Sequence, residues 1–225
     1  VSQLRRHVDL PFELDQGRGA LRGWFDWDQG RIAQATADLA LTEVALRLGR
    51  TLPPLVLQQL GGRIVAAQSE AGREVALERL GFVTGEGLPF GPVSWALRLD
   101  GAPGVAPTGG RFTADRIALA PLAQLAARLP LPTPLHQALS DLAPGGELQK
   151  VALDWTGPAD APQRYRAQAR ATGLSLAAGP PGPPAWGMDQ SPGRPGLRGA
   201  DLELQATEGG GTATLVLRDG ALSFP

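Results

Sequence analysis

The sequence predicts a mainly β protein, one long antiparallel sheet with two short helices inserted near its middle. Three observations carry this expectation. Over residues 21–28, 33–48, 93–99, 148–155 and 212–224, apolar and polar side chains trade places with period two, as in strands with one face against apolar material and the other in water. These runs end in Asp-Gly or other Gly-bearing turns, the punctuation of hairpins. The three-and-four spacing of an amphipathic helix is confined to residues 120–143.

Taken in order, the first part of the chain contains an internal echo. Asp15-Gln16-Gly17-Arg18 recurs as Asp28-Gln29-Gly30-Arg31, which reads as two successive hairpin turns. Between them Leu21, Gly23, Phe25 and Trp27 share a face; beyond them Ala33, Ala35, Ala37, Leu39 and Leu41 share one. From Val44 through Leu46 and Leu48 the apolar parity switches, which places a β-bulge near Thr42-Glu43. Strands over 55–68 and 74–82 follow, then 93–99 closed by Asp100-Gly101, a step that supplies the positive φ of a tight hairpin. At Ala120 the period changes: Pro121 suits a first helical turn, and Leu122, Leu125 and Leu129 recur at helical spacing. A second helix is expected from Thr133 as cap, through Pro134, Leu135, Leu139 and Leu142, ending before Pro144-Gly145-Gly146. Strands resume over 147–157, 164–178 and 200–206, and a final hairpin turns at Asp219-Gly220. Six prolines within 179–196 remove too many backbone donors for a ladder, so that stretch is a loop. Residues 1–225 therefore read as one β-rich unit, with a helical insertion at about 120–143 and a Pro/Gly-rich loop at 179–196.

Composition narrows the function classes. The 21 basic and 22 acidic residues are interspersed and the net charge is −1, so no electrostatic footprint for nucleic acid stands out. Cysteine is absent, which excludes disulfides, thiolate metal sites and cysteine nucleophiles. There is neither a secretory leader nor an apolar run of about 18 residues, and the chain opens on Val1, so it reads as an interior piece of a longer protein.

Candidate chemistry is sparse. Asp26, Asp28 and Gly30 resemble the start of a calcium loop but lack its later ligands, and so read as a turn. Gly85-Glu86-Gly87 followed by Gly91 precedes Pro92 and a strand, where a dinucleotide site needs a helix start. His7 and His136 have no partner at metal-ligand spacing. The pairs Asp26/Asp28 and Glu74/Glu78 lack a converging base, so no catalytic site, metal or cofactor is expected. The aromatic set Trp24, Phe25, Trp27, Phe82, Phe90, Trp95, Trp155 and Phe224 forms either core or the wall of an apolar cavity. A one-faced sheet of eight or more long strands carries more apolar area than two short helices cover. It must close on itself or leave a groove that something apolar fills.

The order of three motif groups resembles the interior of the large AsmA-like proteins of the YhdP type. The first is Leu21-Arg22-Gly23-Trp24-Phe25-Asp26-Trp27, then Ala37-Asp38-Leu39-Ala40-Leu41 and Leu60-Gly61-Gly62-Arg63. The second is Phe112-Thr113-Ala114-Asp115-Arg116-Ile117-Ala118-Leu119-Ala120-Pro121-Leu122, then Leu129-Pro130-Leu131-Pro132 and Leu153-Asp154-Trp155-Thr156-Gly157. The third leads from Gly173-Leu174 to Pro195-Gly196-Leu197-Arg198-Gly199. The resemblance implies a periplasmic segment of an inner-membrane-anchored envelope protein of Gram-negative bacteria, in which a β-groove conducts phospholipids toward the outer membrane. Its expected partners are phospholipid acyl chains, the rest of the same long chain and envelope proteins at either membrane. Parity assigns the groove lining to Leu39, Leu41, Trp95, Leu97, Leu99, Val151, Leu153 and Trp155. The alternative is a closed β-sandwich or barrel, a structural or interaction module whose apolar face is its own core.

Overall fold

The computed structural model describes residues 13–28, 30–49, 51–180 and 193–223. Ten strands form one sheet: β1 (Glu13–Asp28), β2 (Arg31–Arg47), β3 (Leu55–Ser69), β4 (Gly72–Thr84), β5 (Pro89–Asp100), β6 (Gly109–Ala118), β7 (Gly145–Thr156), β8 (Arg164–Leu176), β9 (Gly196–Thr207) and β10 (Gly210–Ser223). Strand order in space is strand order in sequence, and each neighbouring pair runs antiparallel. Among the described residues the sheet is open, with β1 and β10 at its two edges. The closed barrel or two-sheet sandwich required by the alternative is not formed.

Up-and-down pairing gives the sheet two rims. The connections after β2, β4, β6 and β8 lie along one, and those after β1, β3, β5, β7 and β9 along the other. The β6–β7 connection carries the helices: α1 (Leu119–Leu125), a 3-10 turn (Ala126–Arg128) and α2 (Thr133–Leu142). We call their side the helix rim.

Local turn chemistry yields to the ladders in several places. Asp15–Arg18 is not a turn. It lies inside β1, where pairing with β2 continues on both sides through register slips at Leu14/Gln16 and Gln16/Arg18, the second with its extra residue on β2. At this second slip Glu43 adopts φ 52, so the bulge at Thr42-Glu43 is present and Val44 and Leu46 return to the face of Leu41. Asp100-Gly101 does not close a tight hairpin either. The ladder ends at Asp100 opposite Gly109, and the loop of 101–108 between them contains Pro103 and Pro107, which have no N–H to extend it. Likewise Asp219-Gly220 sits within β10, because Leu217 and Ala221 pair with Ala200 and Arg198 on either side of a slip; the hairpin turns at Glu208-Gly209 instead. In α2, Pro132 occupies the N-cap position and Thr133 is the first helical residue, with no side-chain cap. Most of the Pro/Gly-rich loop, along with His7 and Phe224, lies outside the described residues.

The helices bridge the curved sheet. Leu119 belongs to a buried cluster with Ala171, Leu174 and Ala200 of β8 and β9, whereas Leu125 belongs to one with Val44, Leu46, Leu55 and Leu57 of β2 and β3. In a flat ladder those strand pairs are six spacings apart, about 29 Å at ~4.8 Å each. Along α1 the two leucines are only about 9 Å apart at ~1.5 Å per residue. The sheet therefore curls toward the helices along their rim, and the face they touch is the inside of the curve.

Candidate functional site: the apolar face of the sheet

Directly opposed residues in an antiparallel ladder point to the same side. The registers run Ala37 to Ile64, Ile64 to Leu77, Leu77 to Trp95, Trp95 to Ala114 and Ala114 to Val151. With period two along each strand, Leu39, Leu41, Trp95, Leu97, Leu99, Val151, Leu153 and Trp155 all fall on one face. It is the face that Leu41 shares with the cluster around Leu125. All eight are half-buried. Ile64, Val75, Leu77 and Phe112 share this face too, and their parity in sequence was signal enough to place them there. Beyond β7 the face continues through Ala167, Ala206 and Gly211 and, one pair along, Ala169, Leu204 and Ala213.

Packing along this face is uneven. At the helix rim its side chains are core: Val44 is 0 % exposed, Leu57 2 %, Ala171 2 % and Ala200 0 %. Toward the opposite rim and the two edges, apolar residues remain open to solvent, with Phe25 at 55 %, Val75 at 38 %, Leu204 at 38 % and Leu215 at 49 %. Between these zones Trp95 and Phe112 make a tilted ring contact with centroids 6.1 Å apart. Trp155 lies across Gly110, where a Cβ would come within 2.6 Å of the indole ring. A side chain at position 110 would displace that ring. The indole N–H of Trp155 is buried without an acceptor among the described residues.

The other face is polar. On β2 to β4, Asp38, Arg63 and Glu78 are laddered, with Arg63 2.6 Å from Asp38 and 3.9 Å from Glu78. The hydrogen bond from Arg63 holds the Asp38 carboxyl below its ordinary value and raises the guanidinium in turn. Trp24 lies between the guanidinium groups of Arg22 and Arg63, at 6.0 and 5.9 Å from its ring centre. On β4 to β8 the ladder reads Glu74, Arg98, Arg111, Asp154, Arg166, with Arg111 ion-paired to Asp154. Near the opposite rim these groups, with Asp100, Arg164 and Glu208, line an open recess of about 850 Å³. Four arginines face four carboxylates there, a balance that selects neither anion nor cation. The Glu208 carboxyl accepts from its own backbone N–H and from that of Tyr165, and is held below its ordinary value.

The remaining sequence candidates do not converge. Asp26 lies in β1 opposite Gln34 and is exposed, and the Asp28–Arg31 step forms the β1–β2 connection. Gly85-Glu86-Gly87 is the β4–β5 turn, closed by Gly87 N–H to the Thr84 carbonyl at 2.9 Å. His136 is half-buried in the first turn of α2. Among the described residues no three His, Asp or Glu side chains are grouped to hold a metal, and no helix is long and apolar enough to cross a membrane.

An open, curved sheet with one apolar and one charged face, in which each strand pairs with its neighbours in the chain, is the arrangement the motif order led us to expect. A family model, described as YhdP protein, matches residues 2–225. The chain belongs to the YhdP family. No curated protein and no solved structure gave a significant match. Membership in the YhdP family thus rests on nearly the whole chain, and the arrangement of the apolar face comes from this structure.

Proposed function

We propose that this chain is a segment of a periplasmic β-groove that shields acyl chains and conducts phospholipids between the inner and outer membranes, as part of an inner-membrane-anchored YhdP-type protein. One observation carries the reading: the inner face is apolar across all ten strands yet is covered only along one rim, while the outer face is charged. Nine strand spacings of ~4.8 Å give the apolar face an arc of about 43 Å measured from strand to strand around the curl. Each CH₂ moved from water onto such a surface contributes up to about 0.8 kcal/mol, so partial burial of one chain is enough to hold it. The contacts are many, similar and non-directional, which lets a chain slide. Headgroups stay in water beyond the rims, and no catalytic group is called for.

The test is mass spectrometry of organic extracts from protein purified without detergent, beside Leu97→Asp and Leu153→Asp variants. The expected result is phospholipid at near-stoichiometric amount in the parent and a clear loss in both variants, with circular dichroism unchanged. Lipid-free parent protein with an intact sheet overturns the proposal.

A further inference from the structure

Resting on the groove reading, we infer that the α1–α2 segment acts as a fence, restricting the acyl-chain track to the half of the apolar face nearer the opposite rim. The segment is tied down along its length. Leu119 and Leu125 are buried in clusters on the two flanks of the sheet. Arg128 donates to Glu86 of the β4–β5 turn at 3.1 Å. At the far end the Ala177 N–H donates to the Leu142 carbonyl at 2.8 Å, and Arg194 Nη2 to the Asp141 carbonyl at 2.8 Å. Neither helix has a side-chain N-cap, so tertiary burial, rather than local capping, holds them in place.

The consequence is a division of one chemically continuous surface into a part packed against the Leu125 cluster and a part outside it. Leu41, Leu60, Phe82 and Phe90 pack against the cluster that contains Leu125, and Phe82 stacks on Phe90 with ring centres 4.8 Å apart. An acyl chain entering there would have to displace side chains already packed against one another, and that strain offsets part of what its burial contributes. Across the same strands Val75 is 38 % exposed, and Leu97 and Phe112 are half-buried and belong to neither of the clusters that contain Leu119 and Leu125. Leu41 thus shares its face with Leu97 and Leu153 but belongs to the fenced half. The occupant we assign to the open half is the acyl part of a phospholipid, because Val75, Leu97, Phe112 and Leu153, paired in register, offer it a continuous apolar strip.

The experiment places a photoreactive benzoylphenylalanine at Phe112 in one protein and at Phe82 or Phe90 in two others. Each is irradiated after detergent-free purification, and attached lipid is read by mass spectrometry. Near-ultraviolet circular dichroism checks that each fold is kept. Crosslinks to phospholipid at Phe112, with none above background at Phe82 and Phe90, are expected. Equal crosslinking at all three positions overturns the fence and leaves the groove standing. No crosslink anywhere, with lipid still extracted, overturns the track itself; no crosslink and no extracted lipid overturns the groove reading.

Discussion

Truncating Leu125 to Ala tests the origin of the curvature. Leu125 is 1 % exposed and packs among Val44, Leu46, Leu55 and Leu57, so its loss leaves a dry cavity between α1 and two strands. Buried Leu→Ala changes cost 2–5 kcal/mol, and a seven-residue helix resting on one sheet face can settle partly into the gap, which puts the expected loss at about 3 kcal/mol. With a urea m-value of ~2–3 kcal/mol/M, the midpoint should fall by roughly 1–1.5 M. Hydrogen exchange should quicken in β2 and β3 and also in β8 and β9, because α1 joins the two flanks. Gln124→Ala, on the exposed side of the same turn, should move the midpoint by no more than ~0.5 kcal/mol equivalent. A Leu125→Ala midpoint within ~0.2 M of the parent, or faster exchange confined to β2 and β3, would refute the idea that α1 holds the curl.

Gly110→Ala should destabilise by about 1–3 kcal/mol, since the new methyl meets both the Trp155 ring and the Arg98 carbonyl, and a shift in Trp fluorescence should accompany it. Arg128→Ala should cost under ~1 kcal/mol in urea titration, its ion pair with Glu86 being largely exposed, which separates the latch from the buried leucines. The Asp38 carboxyl is held below its ordinary value in the folded protein by the hydrogen bond from Arg63, so in the window between the folded and the ordinary value the unfolded chain binds more protons. Stability from this pair is full above the window and is lost as pH falls through it. Asp38→Asn should flatten that part of a urea-midpoint-against-pH curve, and an unchanged slope would remove Arg63 as the cause. Leu97→Asp places a carboxylate on the open strip, and its thermal midpoint should fall less than that of Leu125→Ala even though its lipid loss is greater.

Much of this architecture was legible because period two is a strong signal in strands this long. The parity switch at Thr42-Glu43 located a bulge that the backbone shows as positive φ, and the spacing of Leu122, Leu125 and Leu129 located the helical insertion. The same parity put eight residues on one side of a sheet whose registers were not yet known. Turn chemistry misled where ladders ran through it: Asp15–Arg18 and Asp219-Gly220 carry good turn residues, but pairing on both sides outweighs a local preference of a fraction of a kcal/mol. What sequence alone did not reveal was the unequal cover of the apolar face. Nothing in the local pattern of Leu41 distinguishes it from Leu97. The distinction arises because α1 reaches strands far from its own position, and such long-range contact leaves no periodic trace.

Every ladder in this sheet joins strands that are neighbours in the chain. A polypeptide emerging with its N-terminus first can therefore pair each new strand with the one just completed, and no strand waits for a distant partner. For most steps the closure is short and entropically cheap, in contrast to sandwiches and parallel sheets that fold slowly for want of their far contacts. The longest closure is the step from Ala118 to Glu147, where the helical excursion must be gathered before β7 finds β6, and the connection of 177–195 between β8 and β9 comes next. The first six strands and the last four are thus the natural units of assembly, and their joining is the step where this chain's folding should pause.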